Sequence, residues 1–225
     1  QIPGTTPFYD LALSFVSSSE DPITGGRHKV FGSAEMSMPP QTSTIASHLP
    51  KAVGAAISID RAAALNLEDR ILPDDGIIVC SFGDASLNQA AALSAINTAL
   101  WASHHGIPVP IIFICEDNGL GISVKTPSNW IESVYGRRTG LQYVECDGLD
   151  LIDLLEKTTV AEKAVRKRRK PLFLRMKTVR LLGHAGSDIQ STYHSLEKIE
   201  AAEANDPLLH SARIIRKRNI MSGEE

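Results

Sequence analysis

Asp84 and Asn118 are the residues whose types and positions most clearly suggest chemistry. Each comes just after an apolar run, and an alanine-rich stretch of one helix's length separates the two runs. A strand, helix and strand in this order form a right-handed crossover with parallel strands, whose carboxyl ends meet at the ligand-binding edge of the sheet. Mg²⁺ commonly takes one or two protein oxygens together with phosphate oxygens and water. A carboxylate and a carboxamide at this edge therefore suit a divalent ion bound to a phosphate.

Small residues beside Asp84 suit an anion. Gly83 permits a tight turn, while Ala85 and Ser86 let backbone amides at the start of the next helix approach phosphate oxygens. Each half of the pattern also has a purely structural explanation, in which Asp84 caps a helix and Asn118 belongs to an ordinary turn. The occurrence of both at consecutive strand ends favours a ligand site, and the geometry alone does not name the ligand.

The elements that must position this pair alternate between strands and helices, which predicts an α/β fold with a mostly parallel sheet. The predicted strands are residues 77–82, the run that ends at residue 117, residues 142–146 and residues 172–177. The predicted helices are residues 46–66, 87–104 and 149–169, with polar helices between 196 and 215. Residues 36–44 should be irregular because Pro39 and Pro40 block a helix. The loop over 178–193, rich in Gly, Ser and His, suits a functional segment.

The composition is that of an ordinary globular protein. The 225 residues are 43% hydrophobic and 22% charged, with a net charge of −3 that gives no reason to expect a nucleic-acid partner. The basic run over 163–170 indicates a solvated helix face. No apolar run approaches the roughly 20 residues that cross a membrane and no signal-peptide pattern opens the chain, so we expect a cytoplasmic protein. Cys80, Cys115 and Cys146 indicate buried, reduced thiols.

Three segments together resemble one enzyme family. The pair Gly83-Asp84 and Asn118-Gly119 is similar to the metal and diphosphate motif of thiamine diphosphate enzymes. The segment 43–56 resembles that family's entry into a buried helix, and the segment 180–188 resembles its catalytic histidine loop. Over roughly residues 25–190, and in the same order, the chain resembles the alpha subunit, or alpha-like half, of the decarboxylating component of 2-oxo acid dehydrogenase complexes.

The resemblance implies a three-layer thiamine diphosphate-binding fold, with thiamine diphosphate and Mg²⁺ as cofactors. It assigns the metal to Asp84, Asn118 and the backbone carbonyl of Leu120, and it gives His184 both a catalytic and a cofactor-binding role. The other residues that it assigns to the cofactor are Ser43, Ile45, Gly83, Ala85, Ser86, Gly121, Ile122 and Arg180. Ile45 would be the aliphatic side chain between the two cofactor rings, and Arg180 would donate hydrogen bonds to phosphate.

The resemblance also implies partners. The glutamate that activates the aminopyrimidine belongs to a beta subunit or beta half in this family, so the chain should need a beta-like partner and be inactive alone. A 2-oxo acid would be the substrate, and a lipoyl-bearing acyltransferase would receive the acyl group. We expect residues 1–225 to form a single diphosphate-binding domain and to be a fragment of a longer chain, with 195–225 as a peripheral helical tail.

Two other functions stay open. A transketolase-like enzyme shares the cofactor, although the histidine loop argues against it. A scaffolding homologue without cofactor is suggested by Glu116, which stands where relatives often carry an arginine that faces the phosphates. A carboxylate about 4 Å from a phosphate charge costs about 1 to 4 kcal/mol, so Glu116 must point away, pair with a cation, or weaken binding.

Overall fold

The computed structural model describes residues 7–41 and 43–220. Thr42 and both ends of the predicted 1–225 domain, residues 1–6 and 221–225, lie outside the described residues. The strands are β1 Phe31–Ser33, β2 Met38–Gln41, β3 Ile78–Gly83, β4 Ile111–Asp117, β5 Gln142–Asp147 and β6 Leu172–Lys177. The helices are α1 Pro7–Phe15, α2 His48–Ala64, α3 Ala90–His104, α4 Trp130–Tyr135, α5 Leu151–Arg168, α6 Leu196–Glu203 and α7 Pro207–Lys217.

Four parallel strands form the main sheet in the order β3-β4-β6-β5. Side chains of one strand alternate between its faces. Phe113 and Cys115 of β4 therefore enter the core that contains α2 and α3, whereas Ile112 packs on the other face with residues of α5. The predicted three-layer α/β fold with a parallel sheet is confirmed.

The strand β4 has the apolar sequence IIFIC because both faces of the sheet at this position are covered. Its neighbour α3 buries Ala92, Ala95 and Ala99 completely or almost completely. Small side chains let helix and sheet backbones approach closely, and α3 packs against α2 in the same core. The sheet therefore places the carboxyl ends of β3 and β4 side by side, in the register Gly83 with Glu116.

The sequence expectations differ from the structure in two places. Residues 38–41 form β2, which pairs antiparallel with β1 in a separate two-stranded sheet. Pro39 and Pro40 are tolerated there because such a small sheet consists of edge strands. The helix expected from residue 87 begins instead at Ala90, since Gln89 has the extended angles φ −79° and ψ 140°.

The basic run at the end of α5 is anchored as well as solvated. The guanidinium of Arg169 donates to both carboxylate oxygens of Asp60 and, at 2.7 Å, to the carbonyl of Gly76. Arg166 pairs with Glu162 and with Asp75. These contacts connect α5 to α2 and to the turn before β3, so part of the run has a structural role.

The cysteine prediction is confirmed. Cys80, Cys115 and Cys146 are buried and free, and burial raises the pKa of Cys80 to about 12 and that of Cys146 to about 11. These thiols stay protonated near neutral pH. Within the described part of the chain, no helix has both the length and the apolarity that crossing a bilayer requires.

Phe173 of β6 is the centre of the aromatic core. It is fully buried and stacks on Tyr135 with ring centroids 4.7 Å apart and planes 8° apart, and Phe82 and Tyr143 also contact its ring. We expect Phe173→Ala to lower the free energy of unfolding by about 3–5 kcal/mol, because it removes these contacts and leaves a cavity. Phe8→Ala is the matched control, since Phe8 is 86% exposed. Urea denaturation of both variants checks this, and equal stabilities would contradict it.

Candidate functional site

Asp84 is a fully buried carboxylate at the carboxyl end of β3. The hydroxyl of Thr126 donates to its Oδ2 at 2.5 Å, whereas Oδ1 has no hydrogen-bond partner among the described residues. Burial raises the pKa of Asp84; the Thr126 hydrogen bond opposes this and the nearby charge of Asp117 adds to it. A buried carboxylate with one free oxygen is costly unless a cation or donor approaches it.

The turn after β4 carries Asn118. Gly119 has φ +71°, which is open to glycine at little cost, and its N–H donates to Oδ1 of Asp117 at 3.2 Å. The side chain of Asn118 accepts a hydrogen bond from the N–H of Leu120 at 2.9 Å. The side-chain oxygens of Asp117 and Asn118 therefore fix the turn by accepting the backbone N–H groups of the two residues that follow Asn118.

The loop that follows folds back over Asp84. The N–H of Gly121 donates to the carbonyl of Val124 at 2.7 Å, and the N–H of Thr126 donates to the carbonyl of Gly119 at 3.0 Å. Thr126 then reaches Asp84 through its hydroxyl. The structure thus joins the two predicted halves of the site through Thr126, a residue that sequence reasoning missed because nothing in its local sequence distinguishes it from other loop threonines.

The segment after Asp84 departs from the expected anion-binding helix start. Residues Asp84–Asn88 form a short 3-10 helix, and α3 begins six residues after Asp84. The helix dipole therefore does not act at Ala85 or Ser86 as we expected. Gly83 has the extended angles φ −72° and ψ 153°, which any residue adopts. A Cβ at Gly83 would meet no atom within 4 Å, so the space beside this backbone is open.

The predicted histidine loop is held by a chain of polar contacts. Arg180 donates to the carbonyls of Gly121 and Ile122 at 3.0 and 2.8 Å and to the hydroxyl of Tyr193 at 3.0 Å. Asp188 accepts hydrogen bonds from the hydroxyl of Tyr193 and from the backbone N–H of His184. These hydrogen bonds lower the pKa of Asp188, and the bond from the His184 N–H has the largest effect. The loop is thereby connected to the Asn118 turn, and the side chain of His184 is exposed.

Two further predicted residues lie on the turn before α2. Ser43 is exposed, and the Ile45 side chain is 55% exposed, whereas the next residue, Ala46, is buried. Ile45 is thus not a core residue of the described chain, which was the structural alternative for it. Glu116 is exposed on β4, and strand alternation directs it to the sheet face opposite Asp117. The side chain of Glu116 is therefore directed away from that of Asp117.

A cavity of about 260 Å³ opens beside the Asn118 turn. Its charged and polar lining comprises Asn118, Lys125, Arg180, Gln190, His194 and Lys198. The three cations have no acidic partner in the lining, and the buried atoms Arg180 Nε and His194 Nδ1 lack hydrogen-bond partners among the described residues. The cavity is therefore suited to an anion. Part of its wall, Lys198, comes from α6, in the segment expected to be a peripheral tail.

A preformed cluster of metal-binding side chains is not part of this site. Among residues 7–41 and 43–220, no group of three or more His, Cys, Asp or Glu side chains is arranged to hold a metal ion. The expected ligand set contains one carboxylate, one carboxamide and one backbone carbonyl, which is the mixed oxygen set that Mg²⁺ accepts when phosphate completes it.

The parallel sheet with helices on both faces and a buried carboxylate at its carboxyl edge defines an α/β protein, and a solved structure shows the same fold. The chain is similar to the transketolase from Campylobacter jejuni subsp. jejuni NCTC 11168, with a TM-score of 0.50 and 20% identity over 75% of this chain and 26% of that one. The family model described as dehydrogenase E1 component matches residues 5–225. The chain therefore belongs to the dehydrogenase E1 component family.

Curated relatives agree with this family. The chain is 27% identical over 220 residues to the 2-oxoisovalerate dehydrogenase subunit alpha of Bacillus subtilis (strain 168), covering 96% of this chain and 62% of the relative. It is 33% identical over 161 residues to the pyruvate dehydrogenase E1 component subunit alpha of Zymomonas mobilis, covering 69% of this chain and 43% of the relative. The chain thus spans roughly half the length of these relatives.

The pKa of Asp84 predicts a dependence of stability on pH. Folding raises this pKa, so the ionised carboxylate destabilises the folded state at pH values above the folded-state pKa. This destabilisation is lost below the ordinary carboxyl pKa of about 4, where Asp84 is protonated in both the folded and the unfolded state. We expect Asp84→Asn to raise the melting temperature at pH 7 in a chelator and to have no such effect near pH 3. Glu156→Gln, at an exposed site of α5, is the control. A lower melting temperature for Asp84→Asn at pH 7 would contradict the prediction.

Proposed function

We propose that the chain is the diphosphate- and magnesium-binding half of a 2-oxo acid dehydrogenase, which decarboxylates a 2-oxo acid and transfers the acyl group to a lipoyl carrier. The observation that carries the proposal is the buried Asp84, whose Oδ1 has no partner among the described residues, joined by Thr126 to the Asn118 turn. Family membership supports this, because the relatives named above are alpha subunits of 2-oxoisovalerate and pyruvate dehydrogenases.

The residues fit the cofactors that we propose. Asp84, Asn118 and the Leu120 carbonyl would hold Mg²⁺, and the cation-lined cavity beside Asn118 suits a diphosphate. The open space at Gly83 and the small Ala85 and Ser86 leave room for it. When bound, thiamine diphosphate supplies the nucleophilic carbon and the electron sink that decarboxylation requires.

Other parts of the chain would orient the cofactor and move protons. Arg180 holds the carbonyls of Gly121 and Ile122, so its main contribution would be to shape the loop, with Nε left for an anion. The exposed imidazole of His184 would hold or transfer a proton near the substrate. The exposed Ser43 and Ile45 would contact the rest of the cofactor, and exposure of an aliphatic side chain such as Ile45 suits a wedge.

We further propose that activity needs a beta-like subunit or beta half, because the family resemblance assigns the glutamate that activates the aminopyrimidine to that half. A lipoyl-bearing acyltransferase would accept the product. Residues 1–225 would form a single domain within a longer polypeptide, since the chain spans roughly half of its relatives. Glu116, the residue that suggested a scaffold without cofactor, is exposed and directed away from Asp117, so it gives no support to that alternative.

Binding of the cofactor tests the proposal. The chain with its beta-like partner should gain about 2.7 kcal/mol of stability when Mg²⁺ and thiamine diphosphate are present at 100 times the dissociation constant. Asp84→Ala should abolish this gain, because it removes the anionic metal ligand. Glu116→Ala, which deletes a nearby exposed carboxylate, should keep it. Thermal or urea unfolding with and without the ligands provides the measurement. No gain for the unmodified complex would refute the proposed function, and a full gain for Asp84→Ala would refute the metal site.

His184 is tested separately from binding. In the assembled enzyme, His184→Asn should lower kcat by about 10²- to 10⁴-fold, because it removes a proton-transfer group, and should change the affinity for thiamine diphosphate by a much smaller factor. His105→Asn, at the exposed end of α3, is the matched control. Steady-state turnover of a 2-oxo acid and a binding titration give the two values. Unchanged turnover for His184→Asn would exclude a catalytic role.

A further inference from the structure

Arg175 is a buried cation at the carboxyl end of β6. It is 7% exposed, and its Nε donates to Oδ2 of Asp117 at 2.7 Å while Nη1 donates to Oε1 of Glu145 at 2.9 Å. The hydroxyl of Tyr143 donates to the same oxygen of Glu145 at 2.6 Å. One guanidinium therefore connects the ends of β4, β5 and β6, and neither the family resemblance nor the proposed function uses it.

Asp117 transmits this contact to the turn. Its Oδ2 binds Arg175, its Oδ1 accepts the N–H of Gly119 at 3.2 Å, and its carbonyl accepts the N–H of Thr178 at 2.9 Å. Asn118 lies between Asp117 and Gly119, which these hydrogen bonds hold in place. The orientation of Asn118 thus depends on an aspartate whose own carboxylate is held by Arg175.

The network is poorly explained by stability alone. Burial of a guanidinium and its carboxylates carries a desolvation cost, and apolar replacements of such ion pairs are often neutral or stabilising. By contrast, some residues contact the ligands of a metal and not the metal itself. Such residues control the orientation of the ligands, and their loss typically lowers the affinity for the metal by about 10- to 100-fold. The position of Arg175, directly behind a turn proposed to bind metal, matches this second role.

We infer that Arg175 is a positioning residue, which acts through Asp117 to hold the Asn118 turn in the geometry that binds a divalent ion with a diphosphate. The inference rests on the proposed function of this site. The planar fork of the guanidinium binds two carboxylates at once, so lysine replaces it incompletely.

Mn²⁺ binding in the presence of thiamine diphosphate, followed by electron paramagnetic resonance on the complex with its beta-like partner, tests this. Arg175→Met should weaken Mn²⁺ binding by about 10- to 100-fold, and Arg175→Lys should fall between it and the unmodified protein. Arg166→Met is the matched control, because Arg166 also makes two ion pairs but lies on α5. It should bind Mn²⁺ normally.

Arg175→Met leaves the carboxylate of Asp117 without its cation and leaves Glu145 with only its ion pair to Lys177, so this variant can fail to fold. The triple variant Arg175→Met, Asp117→Asn, Glu145→Gln removes these three charges and keeps one side-chain oxygen at each of positions 117 and 145, so its Mn²⁺ affinity decides the question. Normal affinity in the folded triple variant overturns the inference, and a loss like that expected for Arg175→Met supports it.

Amide hydrogen exchange at Gly119 separates this inference from the proposed function. Faster exchange in the triple variant supports a role of Arg175 in positioning the turn, whether or not the cofactor binds. Unchanged exchange overturns that role. Failure of the unmodified complex to bind Mn²⁺ with thiamine diphosphate overturns the proposed function, and with it the role of the turn in metal binding.

Discussion

Parallel pairing of β3, β4 and β6 is the constraint on which the site depends. Hydrogen-bonded strands lie about 4.8 Å apart, so the residues that follow paired strand ends are close neighbours. Gly83 is paired with Glu116, and Glu116 with Met176. Asp84 is therefore close to Asp117, whose charge helps to raise the pKa of Asp84. Two acids at one sheet edge need compensation, and the structure supplies it through Thr126 on one and Arg175 on the other.

The Asn118 turn lies beside groups of opposite charge. Asp84 and Asp117 lie at the sheet edge, and Lys125, Arg180 and Lys198 line the cavity that Asn118 also lines. A divalent cation is attracted to the acidic groups and a phosphate to the basic groups. A metal bound to a diphosphate carries both charges, so it complements the turn as a whole, which is why the proposed function favours this group over a free metal or a free anion.

Local sequence predicted the fold well, because its signals are local. The apolar runs and the alanine-rich helix gave α3 and the strands β3 to β6 to within a few residues, and the cysteines are buried as their positions in strands indicated. The misplaced start of α3 and the missed β1-β2 sheet have the same origin. The extended Gln89 and the pairing of the proline-containing β2 with β1 depend on neighbours that local propensity does not include.

Sequence by itself determined the parallel α/β architecture and the presence of Asp84 and Asn118 at consecutive strand ends, because hydrophobic periodicity and turn residues specify them. It also contained a signal for Arg175, a charged residue that interrupts the apolar residues of β6. Only the tertiary structure decided which groups meet at the edge: that Thr126 caps Asp84, that Arg175 holds Asp117, and that α6 completes a basic cavity. These contacts join residues 42, 58 and about 80 positions apart, and such distances are bridged by packing and strand register, which no local pattern encodes.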